Sequence, residues 1–226
     1  MELSPEKMLA ANQAEYSNDY SRMPFISPVQ AKELISRREQ LLAQLAESST
    51  CSGTKFTTGP LSPGCRTCGQ GIWSCLFING ICNGRCFYCP TSQKSKGEPS
   101  TNALRFANPK DYLDYIAQFD FKGVSLSGGE PLLTFDRTMN YVKKLKHRFG
   151  TTIHLWMYTN GILATEDKIA ELAEAGLDEI RFDISADDYT LEKLRLAVRR
   201  IPCVTVEIPA IPEDYIRLRD LLPKLV

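Results

Sequence analysis

Five short apolar runs, at residues 73–78, 124–126, 153–158, 180–184 and 204–208, alternate with five helix-patterned stretches at 109–119, 135–149, 165–175, 187–200 and 212–222. Nearly continuous apolar runs belong to strands covered on both faces. Regular strand–helix alternation joins such strands in parallel, as either a barrel or a doubly wound sheet. Both architectures bind ligands at the carboxyl ends of their strands. The chemically unusual residues fall at those ends. Cys82, Cys86 and Cys89 follow the first run, Gly128-Gly129-Glu130-Pro131 the second, Thr159-Asn160-Gly161 the third and Ser185 the fourth.

The 226 residues suit one domain with an extension. Residues 1–50 contain no glycine and read as a helical N-terminal extension: Ser27 caps, Pro28 takes the first helical position and Gln30 completes a capping box. Residues 51–72 turn to Gly, Pro, Ser, Thr and Cys and read as a cysteine-containing loop, and 73–226 form the core. Lys plus Arg equals Asp plus Glu, 27 against 27, so no net field draws the chain to nucleic acid or anionic lipid. No apolar run approaches a membrane span and the start lacks the order of a signal peptide, so the expected compartment is the cytoplasm.

Six of the eight cysteines lie between residues 65 and 89, spaced C-x2-C-x6-C-x6-C-x3-C-x2-C. Without an export signal, this favours metal or redox chemistry over disulfides. Cys82, Cys86 and Cys89 place three soft thiolates within eight residues, with Gly84 available for a positive φ in the wrap. A four-iron cluster held by three cysteines keeps one iron open to a non-protein ligand, whereas structural zinc wants a fourth protein ligand.

These residues resemble the radical S-adenosylmethionine (radical SAM) superfamily, in the C-x3-C-x2-C spacing, in Tyr88 before the last cysteine and in the Gly-Gly-Glu-Pro segment after the second strand. The resemblance spans roughly residues 73–211. It implies a partial, open TIM-type β/α barrel with about five strand–helix units present. It also implies a [4Fe-4S] cluster on Cys82, Cys86 and Cys89, and S-adenosyl-L-methionine on its open iron. Reductive cleavage would give methionine and a 5'-deoxyadenosyl radical that takes hydrogen from a substrate the sequence does not identify. By the same resemblance Gly128, Gly129, Glu130 and Pro131 face the methionyl group, with the Glu130 carboxylate on its ammonium. Tyr88 lies near the adenine, and Asn160 and Ser185 contact the ribose or carboxylate. A reducing partner such as flavodoxin or ferredoxin is implied as well.

Upstream, Cys65, Cys68 and Cys75 are candidates for a second iron–sulfur cluster, as upstream triplets are in lipoyl synthase, whose spacing differs. Zinc with Cys51 as fourth ligand and an ordinary structural role are the alternatives. Cys203 opens the fifth strand and reads as core, and His154 as a satisfied interior histidine. Lys143, Lys144, Lys146, His147 and Arg148 read as a solvated helix face, and 92–102 as a connection able to close over substrate. Family cores commonly have six units, so the core is expected to be incomplete at the C-terminus. The competing function is a non-catalytic iron–sulfur or zinc module that organises a partner-binding surface.

Overall fold

The computed structural model describes residues 7, 10, 14, 26–44, 49–50, 55–57, 59–89 and 93–225. Its contacts divide the chain into two units, 1–59 and 60–226. In the first, helix α1 (Pro28–Ala43) starts on the expected capping box: Gln30 N–H donates to Ser27 Oγ (3.2 Å) and Ser27 N–H to Gln30 Oε1 (3.0 Å). Strands β1 (Ser49–Thr50) and β2 (Lys55–Phe56) pair antiparallel.

The second unit carries an eight-stranded mixed sheet that does not close, with β10-β9-β8-β7-β3-β5-β6 in order and β4 on β3. Its parallel part is β3 (Trp73–Ile81), β7 (Gly123–Gly128), β8 (His154–Thr159), β9 (Glu179–Phe182) and β10 (Cys203–Val206). These five alternate with α3 (Pro109–Gln118), α4 (Phe135–Phe149), α5 (Glu166–Glu174), α6 (Glu192–Ala197) and α7 (Tyr215–Leu221). This is the open, partial barrel the alternation and the resemblance led us to expect. Among the described residues no helix is long and apolar enough to cross a membrane.

Side chains alternate across each strand, and the two faces differ sharply. On one, Leu76, Ile78, Val124, Leu126, Leu155, Met157 and Ile180 are completely buried, together with Tyr112, Ile116, Val142, Leu145 and Ile169 from the helices. Full burial of such a side chain stabilises by about 1.5–3 kcal/mol. This face holds the fold together.

The other face mixes polar and aromatic side chains, with Ser125, His154, Glu179 and Arg181 beside Trp73, Trp156 and Tyr158, and two predicted loops contain regular structure. Within the predicted loop 51–72, residues Pro63–Gly69 form a short helix, α2, because Ser62 caps it (Cys65 N–H to Ser62 Oγ, 3.2 Å) and Pro63 starts it. The predicted connection 92–102 contains β4 (Lys94–Ser95) and β5 (Ser100–Thr101), and β5 pairs with β6 (Leu104–Arg105) as well as β3.

Helix α2 meets this second face at Glu179, which has no exposure. Glu179 Oε2 accepts from Gly64 N–H (2.9 Å) and lies 2.9 Å from His154 Nε2; Oε1 accepts from Ser62 Oγ (2.9 Å) and Arg181 Nε (2.7 Å). His154 is thus satisfied in the interior, as expected. Burial alone would raise the Glu179 carboxyl, but His154, Gly64, Arg181 and Ser62 together hold it at about 2. A depressed carboxyl contributes stability that is complete above its unfolded value near 4.5 and is lost as pH falls through about 2. Glu179→Ala is accordingly expected to cost about 3–5 kcal/mol at pH 7, because buried Arg181 keeps only Glu207 as a carboxylate partner, and the Gly64 N–H, Ser62 and His154 lose their shared acceptor. The gap from wild type should narrow at pH 3. Urea denaturation at both pH values checks this, and a gap constant with pH would contradict it.

Candidate active site

The cysteine loop leaves the carboxyl end of β3. Cys89 N–H closes a turn on the Cys86 carbonyl (3.1 Å), and Gly84 N–H points at Cys82 Sγ (3.3 Å). Gly84 is buried, and a Cβ there would stand 3.4 Å from Cys82 Sγ and 3.5 Å from both Cys86 Sγ and Asn160 Nδ2. The positive φ anticipated for Gly84 is not used; the residue supplies room between two thiols. Burial pushes the Cys82 thiol up, so loading a metal on it releases a proton.

The Gly-Gly-Glu-Pro segment packs as bare backbone onto the end of β3, just before this loop. Gly128 has φ +122°, and a Cβ on Gly129 would fall 1.9 Å from the Ile81 carbonyl oxygen. Contact this close lets Gly129 N–H donate to the Asn79 carbonyl (2.8 Å) and Glu130 N–H to the Ile81 carbonyl (2.7 Å). Pro131 is buried at the start of the short turn that follows.

The Glu130 carboxylate is held by the backbone and side chains around it. It is 1% exposed and accepts three hydrogen bonds: Leu132 N–H (2.9 Å) and Thr159 Oγ1 (2.8 Å) on Oε1, and Asn160 N–H (2.8 Å) on Oε2. Burial pushes its carboxyl up, against those three donors. It therefore ties the β7 turn to the end of β8, and Glu130 also lines the cavity at the cysteine loop. Asn160 in turn donates from Nδ2 to Asn83 Oδ1 (2.8 Å) and faces Cys82 Sγ (3.6 Å), so β8 is latched to the cysteine loop.

Tyr88 and Ser185 converge on Asp183, which the sequence reading passed over. Tyr88 OH donates to Asp183 Oδ2 (2.7 Å) and is 2.5 Å from Ser185 Oγ, which reaches Asp183 Oδ1 (2.5 Å). Burial, with the Cys86 thiol and the Asp183 carboxylate alongside, keeps the Tyr88 phenol protonated well beyond its ordinary range. The available signal for Asp183 was a carboxylate inside the fourth apolar run, directly after β9.

A cavity of about 430 Å³ joins these pieces, reaching from Cys82, Cys86 and Cys89 past Asn160 to Arg181 and Glu207. Its volume is that of a small-molecule site. Arg181 is 4% exposed, bonds Glu207 Oε2 (2.7 Å) and Tyr158 OH (3.1 Å) through Nη1, and lies 5.3 Å over both the Trp156 and Tyr158 rings. Charged Glu179 and Arg181 alternating with Ile180 and Phe182 were the sequence signal for this polar interior.

The upstream cysteines are arranged differently. Cys65 and Cys68 lie on α2 and Cys75 within β3. Cys68 neighbours Cys75, whereas Cys65 neighbours Cys203. Among the described residues no three His, Cys, Asp or Glu side chains gather closely enough for a single metal ion, in either cysteine group. Cys51, the fourth zinc ligand considered above, lies outside the described residues. Three thiols in one loop suit a four-iron cluster with one open iron better than a structural zinc, which takes four protein ligands.

The family model for the radical SAM superfamily matches residues 76–221, more than half of the chain. The chain belongs to the radical SAM superfamily. It is 36% identical over 164 residues to a protein of Methanocaldococcus jannaschii provisionally named a glycyl-radical enzyme activating enzyme, covering 67% of this chain and 44% of that protein. It is 30% identical over 109 residues to a GTP 3',8-cyclase of Nautilia profundicola, covering 48% and 33%. The radical SAM chain thus spans less than half the length of these relatives. A radical S-adenosylmethionine methyltransferase from Kitasatospora setae overlays at TM-score 0.48 with 16% identity, covering 76% of this chain and 38% of that one.

Proposed function

We propose that this chain carries the SAM-cleaving site of a radical SAM enzyme, with Cys82, Cys86 and Cys89 as the protein ligands of a [4Fe-4S] cluster. The carrying observation is the cradle at Gly84, where Cys82, Cys86 and Asn160 stand around one glycine at the mouth of the 430 Å³ cavity. When bound, the cluster and S-adenosylmethionine supply reductive cleavage to methionine and a 5'-deoxyadenosyl radical, one-electron chemistry outside the reach of side chains.

The protein's own groups bind and orient. Three thiolates leave one of four irons for a ligand from the cavity. The segment Gly128 to Glu130 forms one wall of the cavity, and Glu130 holds that wall to Asn160. Tyr88, Ser185 and Asp183 offer a hydroxyl and carboxylate cluster for a ribose-type diol. Arg181 and Glu207 form the interior side of the cavity, where a substrate would lie. Arg181 is already shared between two carboxylates. That favours an uncharged, hydrogen-bonding substrate such as a polypeptide segment over a triphosphate.

Anaerobic loading with iron and sulfide is expected to give about four irons per chain. Dithionite reduction with S-adenosylmethionine should then yield 5'-deoxyadenosine, detected by mass spectrometry. A loaded chain that neither binds nor cleaves S-adenosylmethionine would favour the non-catalytic module.

A further inference from the structure

We propose that Cys65 and Cys203 are a dithiol–disulfide pair that staples α2 to β10, a covalent redox site separate from the cysteine loop.

Sheet register sets five residues in one row across the parallel strands: Cys75 on β3, Ser125 on β7, Trp156 on β8, Glu179 on β9 and Cys203 on β10. Residues opposite one another in a sheet share a face, so a thiol stands at each end of the row. Helix α2 lies along it. Near the start of the helix, a Cβ on Gly64 would stand 2.9 Å from Glu179 Oε2 and 3.2 Å from the Trp156 ring; near its end, Thr67 Cγ2 is 2.6 Å from where a Cβ on Gly123 would stand. The helix thus begins over β9 and ends over β7. Cys65 and Cys68, three residues apart on one side of it, fall toward opposite ends of the row, Cys65 beside Cys203 and Cys68 beside Cys75.

Glu179 fixes the first of these encounters from both directions. It stands opposite Cys203 in the sheet, and it accepts from Gly64 N–H (2.9 Å) and from Ser62 Oγ (2.9 Å), the atom that also accepts Cys65 N–H (3.2 Å). Both thiols are free and partly exposed. Among the described residues no three His, Cys, Asp or Glu side chains gather here for a metal ion, and Glu179 is already occupied by its donors. Two neighbouring thiols without a third ligand suit a disulfide.

Such a bond has a mechanical target. Strand β10 ends the order of the sheet and pairs with β9, and Glu207, directly after β10, lines the cavity and holds Arg181 (2.7 Å). Oxidation fixes this edge to α2; reduction releases it. The oxidant is a low-molecular-mass disulfide. The Cys65 thiolate attacks it and expels one thiol, Cys203 then displaces the mixed disulfide and expels the second, and two electrons and two protons pass from the pair to the oxidant. Burial and the Glu179 carboxylate push the Cys203 thiol up, which leaves the first attack to Cys65.

The test treats the iron-loaded chain anaerobically with glutathione disulfide, followed by acid quenching, alkylation and tryptic mass spectrometry. Peptides 56–66 and 201–217 each contain one cysteine, Cys65 or Cys203. They should appear joined, lighter than their sum by two hydrogens, and should separate after dithiothreitol. The oxidised chain should melt about 5–10 °C above the reduced one, because the bridge closes a long loop. Cys203→Ser and Cys65→Ser should each lose that shift. The proposal is overturned if Cys65 is found joined to Cys68, if both thiols are still alkylated after glutathione disulfide, or if oxidised wild type melts with the Cys203→Ser variant. Metal retained on Cys65 and shielding it from alkylation in the reduced chain would overturn it as well. A chain that loads no iron is mapped in the same way, so failure of the cluster assignment leaves this test standing.

Discussion

Cys86→Ala is expected to reduce 5'-deoxyadenosine formation to background while leaving the chain folded. Cys86 is half-buried in a loop whose backbone turn is closed by Cys89 N–H on its carbonyl, a bond the substitution keeps. The buried core lies on the other face of the sheet and loses nothing. What disappears is one of three thiolates, and a cluster with two protein ligands has neither a fixed position nor a defined open iron. Thermal melting should therefore move by no more than a few degrees, whereas iron retained after desalting should drop sharply. Turnover comparable to wild type with Cys86 absent would remove the assignment of this loop. Cys75→Ala provides the contrast: it lies within β3, well before the loop, and should leave deoxyadenosine formation largely intact.

Gly129→Ala should have the largest effect on stability. Its Cβ would sit 1.9 Å from the Ile81 carbonyl oxygen and 2.4 Å from the carbonyl carbon, both backbone atoms that no rotamer change can move aside. The β7 turn would have to lift off β3, breaking Gly129 N–H to Asn79 and Glu130 N–H to Ile81 and leaving buried donors unsatisfied. Overpacking and lost hydrogen bonds together predict a cost of about 3–5 kcal/mol. In a chain of this size that lowers the melting temperature by roughly 10 °C. Gly59→Ala, with nothing within 4 Å of its Cβ, should change it little. Calorimetry on the two variants decides the matter. A mild effect at Gly129 would mean that the close approach of turn to strand is not required.

Local signals carried much of this molecule. The strand–helix alternation predicted all five parallel strands and their helices, because burial on both faces imposes continuous apolar runs that need no knowledge of partners. The Ser27–Gln30 capping box was likewise legible, being a contact across three residues. The thiol spacing of Cys82, Cys86 and Cys89 and the Gly-Gly-Glu-Pro segment marked the rim, since both place unusual chemistry directly after a strand.

What the sequence left undecided were contacts between residues far apart in the chain. Nothing in the local sequence pairs Glu130 with Thr159 and Asn160; sheet register brings them beside it, and both donate to its carboxylate. Asp183 gains meaning only because Tyr88, 95 residues earlier, folds onto it. Cys65, Cys68 and Cys75 looked like one ligand set along the chain, yet α2 turns two of them toward different strands, one beside Cys203 and one beside Cys75. Periodicity and spacing are properties of one dimension and determined the elements and the rim. Which side chains meet at the site depends on register and on how closely two backbones approach, and only the tertiary structure decides that.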